Sequence, residues 1–239
     1  MSVKVTIGHL VSDENKRAHG GKAGDQTGRE SYLCDWYGPW EYVFRAKDPA
    51  VRKKIAQTMV DICNNENAGG YDQYERTTLY NEAKRLNWDI KAITKPCESD
   101  CSASVAVCIN AAGIPISKDM YTGNEKQLIE ATGAFETYSA AEYTQQSDKL
   151  KKGDILQKKG HTSIVTNVET TTEKATRYYP KYKGNSKSIV DALNTLGINS
   201  TFNNRKKIAI TNKISNYTGT AEQNTKMLSL LIAGKLIKP

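Results

Sequence analysis

Several absences narrow this chain before any motif is read. No apolar run approaches the roughly 18 residues that cross a bilayer, so membrane insertion is not expected. Residues 1–11 are too short and broken to be a secretory h-region, which predicts synthesis in the cytoplasm. Histidine is scarce: His9, His19 and His161 are the full set. The five cysteines, at 34, 63, 97, 101 and 108, make an odd number without regular spacing, which argues against a disulfide framework. Cys97, Cys101 and Cys108 also lack the paired CxxC knuckles of zinc modules. No metal and no cofactor are expected.

Charge is present but unevenly placed. The net charge is +8. Residues 181–239 hold ten Lys/Arg and two Asp/Glu, leaving 24 of each sign in residues 1–180. The excess therefore belongs to the tail, which suggests a second module with an anionic partner.

Local patterns divide the chain further. Residues 19–30 form a glycine-rich loop, Gly24-Asp25-Gln26-Thr27-Gly28 at its centre, suited either to folding over a cleft or to a solvated surface. Its lack of a Lys-[Ser/Thr] ending excludes a phosphate-binding loop. The segment 31–45 is aromatic and strand-like around Gly38-Pro39. Its Trp36, Tyr37 and Trp40 could stack on sugar rings or lie in the core. Apolar periodicity predicts helices over 49–64, 71–86 and 124–132 and a weak one near 139–143, with Met59 in the core. From 169 to 187 we expect an edge strand and a linker. Three short helices follow, over 186–196, 200–211 and from Thr220, where Thr220-Ala221-Glu222-Gln223 is a capping box and Met227 faces the core.

The chemistry centres on two places. Cys101 opens a small-residue helix that ends at Gly113, where free N–H groups and the helix dipole favour a thiolate. Asp100 before it and Ser102 after it predict an exposed helix start, whereas Cys108 reads as packing. The runs 151–156 and 160–165 read as two strands across a tight turn, and His161 opens the second. A thiol at a helix start and an imidazole at a strand start are the minimum parts of a Cys–His nucleophilic site. A buried packing cysteine is the alternative for Cys101. His9 and His19 lack such a setting and are expected at the surface.

With those residues stated, Asp100-Cys101-Ser102, Leu150-Lys151-Lys152-Gly153-Asp154-Ile155-Leu156 and Gly160-His161-Thr162-Ser163-Ile164-Val165 resemble the NlpC-type cysteine peptidoglycan hydrolases, papain-like relatives of the CHAP amidohydrolases. The 24–28 loop and Gly70-Tyr71-Asp72-Gln73-Tyr74 resemble a variety found in endolysins of phages of Gram-positive hosts, and the tail is similar to their wall-binding modules. The resemblance implies an α+β fold: a papain-like peptidase domain of helices on a small antiparallel sheet over 1–176, a linker over 177–186 and an all-α three-helix domain over 187–239. It implies attack by Cys101 on an amide of the wall peptide, with His161 as base and then acid. A third polar residue orients the histidine, for which Asn167, Glu169 and Glu173 are the candidates. Gln26 is a candidate oxyanion donor, and Asp25, Trp36, Trp40, Asp100 and Ser102 are candidate substrate-binding residues. The expected partners are peptidoglycan and its anionic polymers, with no nucleic acid. The expected location is the host cytoplasm until lysis and the wall thereafter. Two rivals stay open: a wall-binding protein without catalysis, and a nucleic-acid-binding protein with a structural front half.

Overall fold

The computed structural model describes residues 2–28, 30–171 and 178–239. They form two compact units, Met1–Thr171 and Thr172–Pro239. The first unit is mixed α+β. Its strands are β1 (Ser2–Leu10), β2 (Ser31–Asp35), β3 (Tyr42–Ala46), β4 (Gly70–Tyr71), β5 (Glu98–Ser99), β6 (Phe135–Tyr138), β7 (Ile155–Lys158) and β8 (His161–Thr171). Its helices are α1 (Pro49–Cys63), α2 (Thr78–Arg85), α3 (Cys101–Ala111), α4 (Glu125–Ala131) and α5 (Ala141–Thr144).

Six strands make one antiparallel sheet in the order β2-β1-β8-β7-β3-β6, and β4 and β5 pair in parallel beside it. Helix α3 is the centre of the packing. Every residue from Cys101 to Ile109 is buried, so the helix has no polar face to give to water. Helix α1 lays Ile55, Met59 and Ile62 into the same core, together with Phe44, Ile155 and Ile164 of the sheet. Gly8 is required where β1 passes beneath α1, since a Cβ there would meet Met59 Cγ at 2.7 Å.

Two expected elements differ. The helix predicted over 71–86 begins only at Thr78, because Tyr71 pairs as β4 with Ser99 and Asp72 binds the backbone N–H groups of Gly20 and Tyr74. The region expected to be edge strand from 169 is the end of β8, an interior strand whose Glu169 lies opposite Lys4 of β1. Residues 172–177, with Glu173 and the start of the expected linker, lie outside the described residues.

The second unit has its own core. It comprises α6 (Ile189–Thr195), capped by Ser188, α7 (Phe202–Thr211) and α8 (Ala221–Ile232). The Thr220–Gln223 capping box is formed in both directions. Ile189, Leu193, Ile208, Tyr217, Met227 and Leu231 pack together, and Tyr178 bridges to Ile237. No helix among the described residues is long and apolar enough to cross a membrane.

Candidate functional site

Helix α3 starts at Cys101 because Asp100 caps it. The Asp100 backbone is extended, and its carboxylate accepts from the Ala103 N–H at 2.7 Å and the Ser102 hydroxyl at 2.9 Å. Arg76 locks the cap, with Nε 2.6 Å from Asp100 Oδ2 and Nη2 3.1 Å from Ser102 Oγ. Asp100 and Ser102, expected to bind substrate, are thus buried and engaged in holding the helix start.

Cys101 itself is only 7% exposed, in place of the exposed helix start predicted. Burial pushes its thiol up to about 12, and the neighbouring Asp100 charge adds to this; the N–H groups of Thr162 and Ser102 pull the other way. Desolvation therefore outweighs the helix dipole, and the resting sulfur is a thiol. The Thr162 contact places that sulfur at the beginning of β8, one residue from His161. Glu125 of α4 closes this corner. It is fully buried, accepts from the Thr162 hydroxyl at 2.7 Å, and is pushed up to about 8, mainly by burial.

His161 has a partner the sequence did not reveal. His9 Nδ1 lies 2.9 Å from His161 Nε2. His9 is 2% exposed, a correction to its expected surface position. The sheet explains the meeting: β1 and β8 are antiparallel neighbours with Gly8 opposite Ile164, so the end of β1 lies beside the start of β8. Aromatic rings enclose the pair. Trp40 stacks on His161 at 5.8 Å, Tyr32 meets His9 edge-on at 4.7 Å, and the Tyr37 hydroxyl lies 3.3 Å from His9 Nδ1. On its far side His9 Nε2 faces Cys34 Sγ at 3.6 Å. Burial lowers both imidazoles to about 4; each histidine's charge is further opposed, His9 by His161 and His161 by Lys158. Both rings are neutral at physiological pH.

The remaining predicted residues lie elsewhere. Asn167 and Glu169 bond each other at 3.1 Å further along β8 and do not orient His161. Distance is the reason: Asn167 lies six residues along β8 from His161, about 20 Å on an extended strand, and an extra residue on β8 opposite Thr6 and Ile7 further shifts the register. Gln26 donates to the Glu66 carbonyl and accepts from the Gly24 N–H, both at 2.7 Å, so its amide braces the loop and does not serve an oxyanion at Cys101. Asp25 accepts from the Lys22 N–H and belongs to an acidic group with Glu14 and Glu30. Trp40 is buried, and half-buried Trp36 packs on the Val5–Ile7–Leu156 cluster and lines a shallow cavity with Val3, Lys4 and Asp35. His19 is exposed and stacks on Tyr74. Among the described residues one group has metal-ligand spacing, Glu14, Asp25 and Glu30, without cysteine or histidine. A cavity of about 400 Å³ is bounded by Val11, Ser12, Asp13, Glu14, Gly28 and Tyr32, the last of which meets His9 edge-on.

The signal for His9 was present as the alternation Val3, Val5, Ile7, His9 along one face of β1. Nothing local ties it to His161, 152 residues away.

Comparisons with known proteins follow this geometry. Over 51 residues, 21% of this chain, it is 51% identical to the L-alanyl-D-glutamate peptidase of Listeria phage A118. The match spans 18% of that relative, under a fifth of its length. No solved structure matches the chain. The family described as endolysin-like domain matches residues 7–174, a span that contains His9, Cys101 and His161 and covers more than half of the sequence. The chain belongs to the endolysin-like domain family.

Proposed function

We propose that this protein is a phage endolysin that hydrolyses an amide bond of bacterial peptidoglycan with Cys101 as nucleophile. The observation that carries the reading is the 2.9 Å bond from His161 Nε2 to His9, with the Cys101 sulfur on the adjacent Thr162 N–H. It leaves His161 Nδ1 as the nitrogen to face the thiol. A helix-start cysteine packed against an antiparallel sheet that bears the histidine also supports the papain-like reading of the first unit.

In this mechanism His161 carries its proton on Nε2 and donates it to His9 Nδ1, which fixes the tautomer and the ring plane. Nδ1 takes the Cys101 proton as the sulfur attacks the carbonyl carbon. The Cys101 N–H at the helix start faces the oxygen as negative charge develops. The imidazolium then protonates the leaving amine, the C–N bond breaks and a thioester remains. Water, deprotonated by His161, attacks the thioester, releasing a carboxylic acid and restoring the thiol. His9 is a positioning residue, and its low basicity keeps it a neutral acceptor.

His9→Asn is expected to lower kcat on isolated walls by about 10²–10⁴-fold with KM little changed. The His161 ring faces His9 from β1 and Trp40 from the segment before β3, and the charge of Lys158 on β7 acts on it. With the imidazole lowered to about 4, kcat/KM of the native enzyme stays level down to about pH 5 and falls below it. Burial and Lys158 set that limb, so His9→Asn leaves it in place while kcat falls. An unchanged kcat would remove His9 from the machinery. Mass spectrometry of the released fragments identifies the bond, and fragments carrying intact wall peptides would refute amide hydrolysis. The relative's activity makes the L-alanyl-D-glutamate bond the first to examine.

The second unit is read as the wall anchor. Its excess positive charge suits anionic wall polymers, and Lys206 and Lys213 flank exposed Ile210 at a groove of about 360 Å³. A chain ending at Thr171 is expected to lose most of its retention on isolated walls. Retention of the full chain weakens as salt rises from 50 to about 500 mM. Equal retention by the shortened chain, or stronger retention of the full chain on DNA, would overturn the anchor. Released by a separate membrane lesion, such an enzyme acts from the cytoplasmic side of the wall.

A further inference from the structure

The loop between β1 and β2 brings three carboxylates together; each accepts one hydrogen bond, but Glu30 Oε1 and Glu14 Oε2 have no donor among the described residues. One oxygen from each of Glu14, Asp25 and Glu30 lies within 4.8 Å of the others. Glu30 is 1% exposed; its Oε2 accepts the Tyr71 N–H at 2.7 Å, while its Oε1 has no hydrogen-bond partner among the described residues. Glu14 Oε2 is likewise buried and unpartnered. Near them is Glu98, also 1% exposed, with both oxygens unpartnered among the described residues. Gly70 makes room for it, since a Cβ at 70 would meet the Glu98 oxygens at 2.8 and 2.9 Å.

Buried carboxylates facing one another without a donor are costly unless a proton or a cation lies between them. We propose that Glu14, Asp25 and Glu30 bind a divalent calcium ion, which fastens the loop to the body of the first unit. The ligand set is all oxygen, which selects a hard cation over zinc or copper. Calcium accepts six to eight ligands in irregular geometry, completed by water at the exposed Asp25 rim, whereas magnesium demands a regular octahedron. Glu14 also lines the 400 Å³ cavity beside Tyr32, so the ion holds one wall of that cavity in place. The proposal does not depend on the hydrolase reading.

The test is calorimetric titration of calcium chloride into the full chain stripped with chelator, with thermal unfolding followed in parallel. The expected result is one site with Kd at or tighter than about 10⁻³ M, and a Tm rise of about 3–6 °C at ten times Kd. Glu30→Gln and Asp25→Asn each weaken binding by at least about tenfold. Exposed Asp25 tolerates asparagine, so that variant keeps the test decisive should Glu30→Gln fail to fold. Absence of heat and of a Tm shift would overturn the proposal, as would unchanged affinity in Asp25→Asn. An equal response to magnesium chloride would overturn the assignment to calcium.

Discussion

Cys101→Ala is expected to stop lysis of isolated walls, lowering the rate by about four orders of magnitude or more. The magnitude follows from the division of labour at the site. In the proposed mechanism His161 and His9 have no nucleophile to activate once the sulfur is gone, so removal of one member would disable the unit. Binding to walls and Tm should stay close to native, because the substitution keeps the helix start and its Asp100 cap. Cys101→Ser is expected to fail as well: a hydroxyl is a far weaker nucleophile, and a neutral base of pKa about 4 removes its proton poorly. Cys97→Ala and Cys108→Ala supply the contrast, since both thiols are buried packing groups and lysis should persist. Turbidity loss of purified walls measures all four. Lysis at native rate by Cys101→Ala would exclude the thiol mechanism outright.

The second large effect concerns stability. Asp154 is fully buried and takes Arg45 in a two-pronged bond, Nε to Oδ1 at 2.8 Å and Nη2 to Oδ2 at 2.6 Å. It also accepts the Lys151 N–H at 2.7 Å. These bonds join the turn before β7 to strand β3. Asp154→Ala would leave the guanidinium buried without its counter-charge, a loss of about 3–5 kcal/mol. For a chain of this size that is a fall in Tm of about 6–20 °C. Arg45→Met paired with Asp154→Leu should cost less than either single change, because both charges leave together. Thermal unfolding of Asp154→Ala, of Arg45→Met, of Asp154→Leu and of the double variant checks this, and a loss under about 1 kcal/mol for Asp154→Ala would refute it. Gly153 shares the turn for a related reason: its φ of +89° is left-handed, and a Cβ would lie 2.1 Å from the Arg52 carbonyl oxygen. The Gly153-Asp154 part of the motif is therefore read as architecture, while His161 is read as chemistry.

Local signals were legible where neighbours in sequence settle the conformation. The Asp100 cap, the stop at Gly113, the Thr220 capping box and the turn between β7 and β8 each depend on residues within a few positions of one another. What escaped depended on strand order. β1 is an interior strand, and its burial of His9 follows from pairing with β8 from the far end of the first unit. The register of β8 also escaped, since an extra residue opposite Thr6 and Ile7 has no signal in the local sequence. The exposure expected at Cys101 failed for another reason. The polar residues around it, Asp100 and Ser102, satisfy each other and Arg76 inside the protein, so their polarity signals a closed network and not contact with water. Gln26 and Asp25 likewise turn inward to their own loop.

The sealed sulfur described at the start of α3 has a bearing on durability. Peroxides and alkylating agents react with the thiolate, and a protonated cysteine with so little open surface offers them almost none. In the proposed mechanism, reactivity is thus withheld until a scissile carbonyl arrives to drive the proton transfer. On that reading the protein is expected to keep its nucleophile intact in an oxidising medium without a reductant to maintain it.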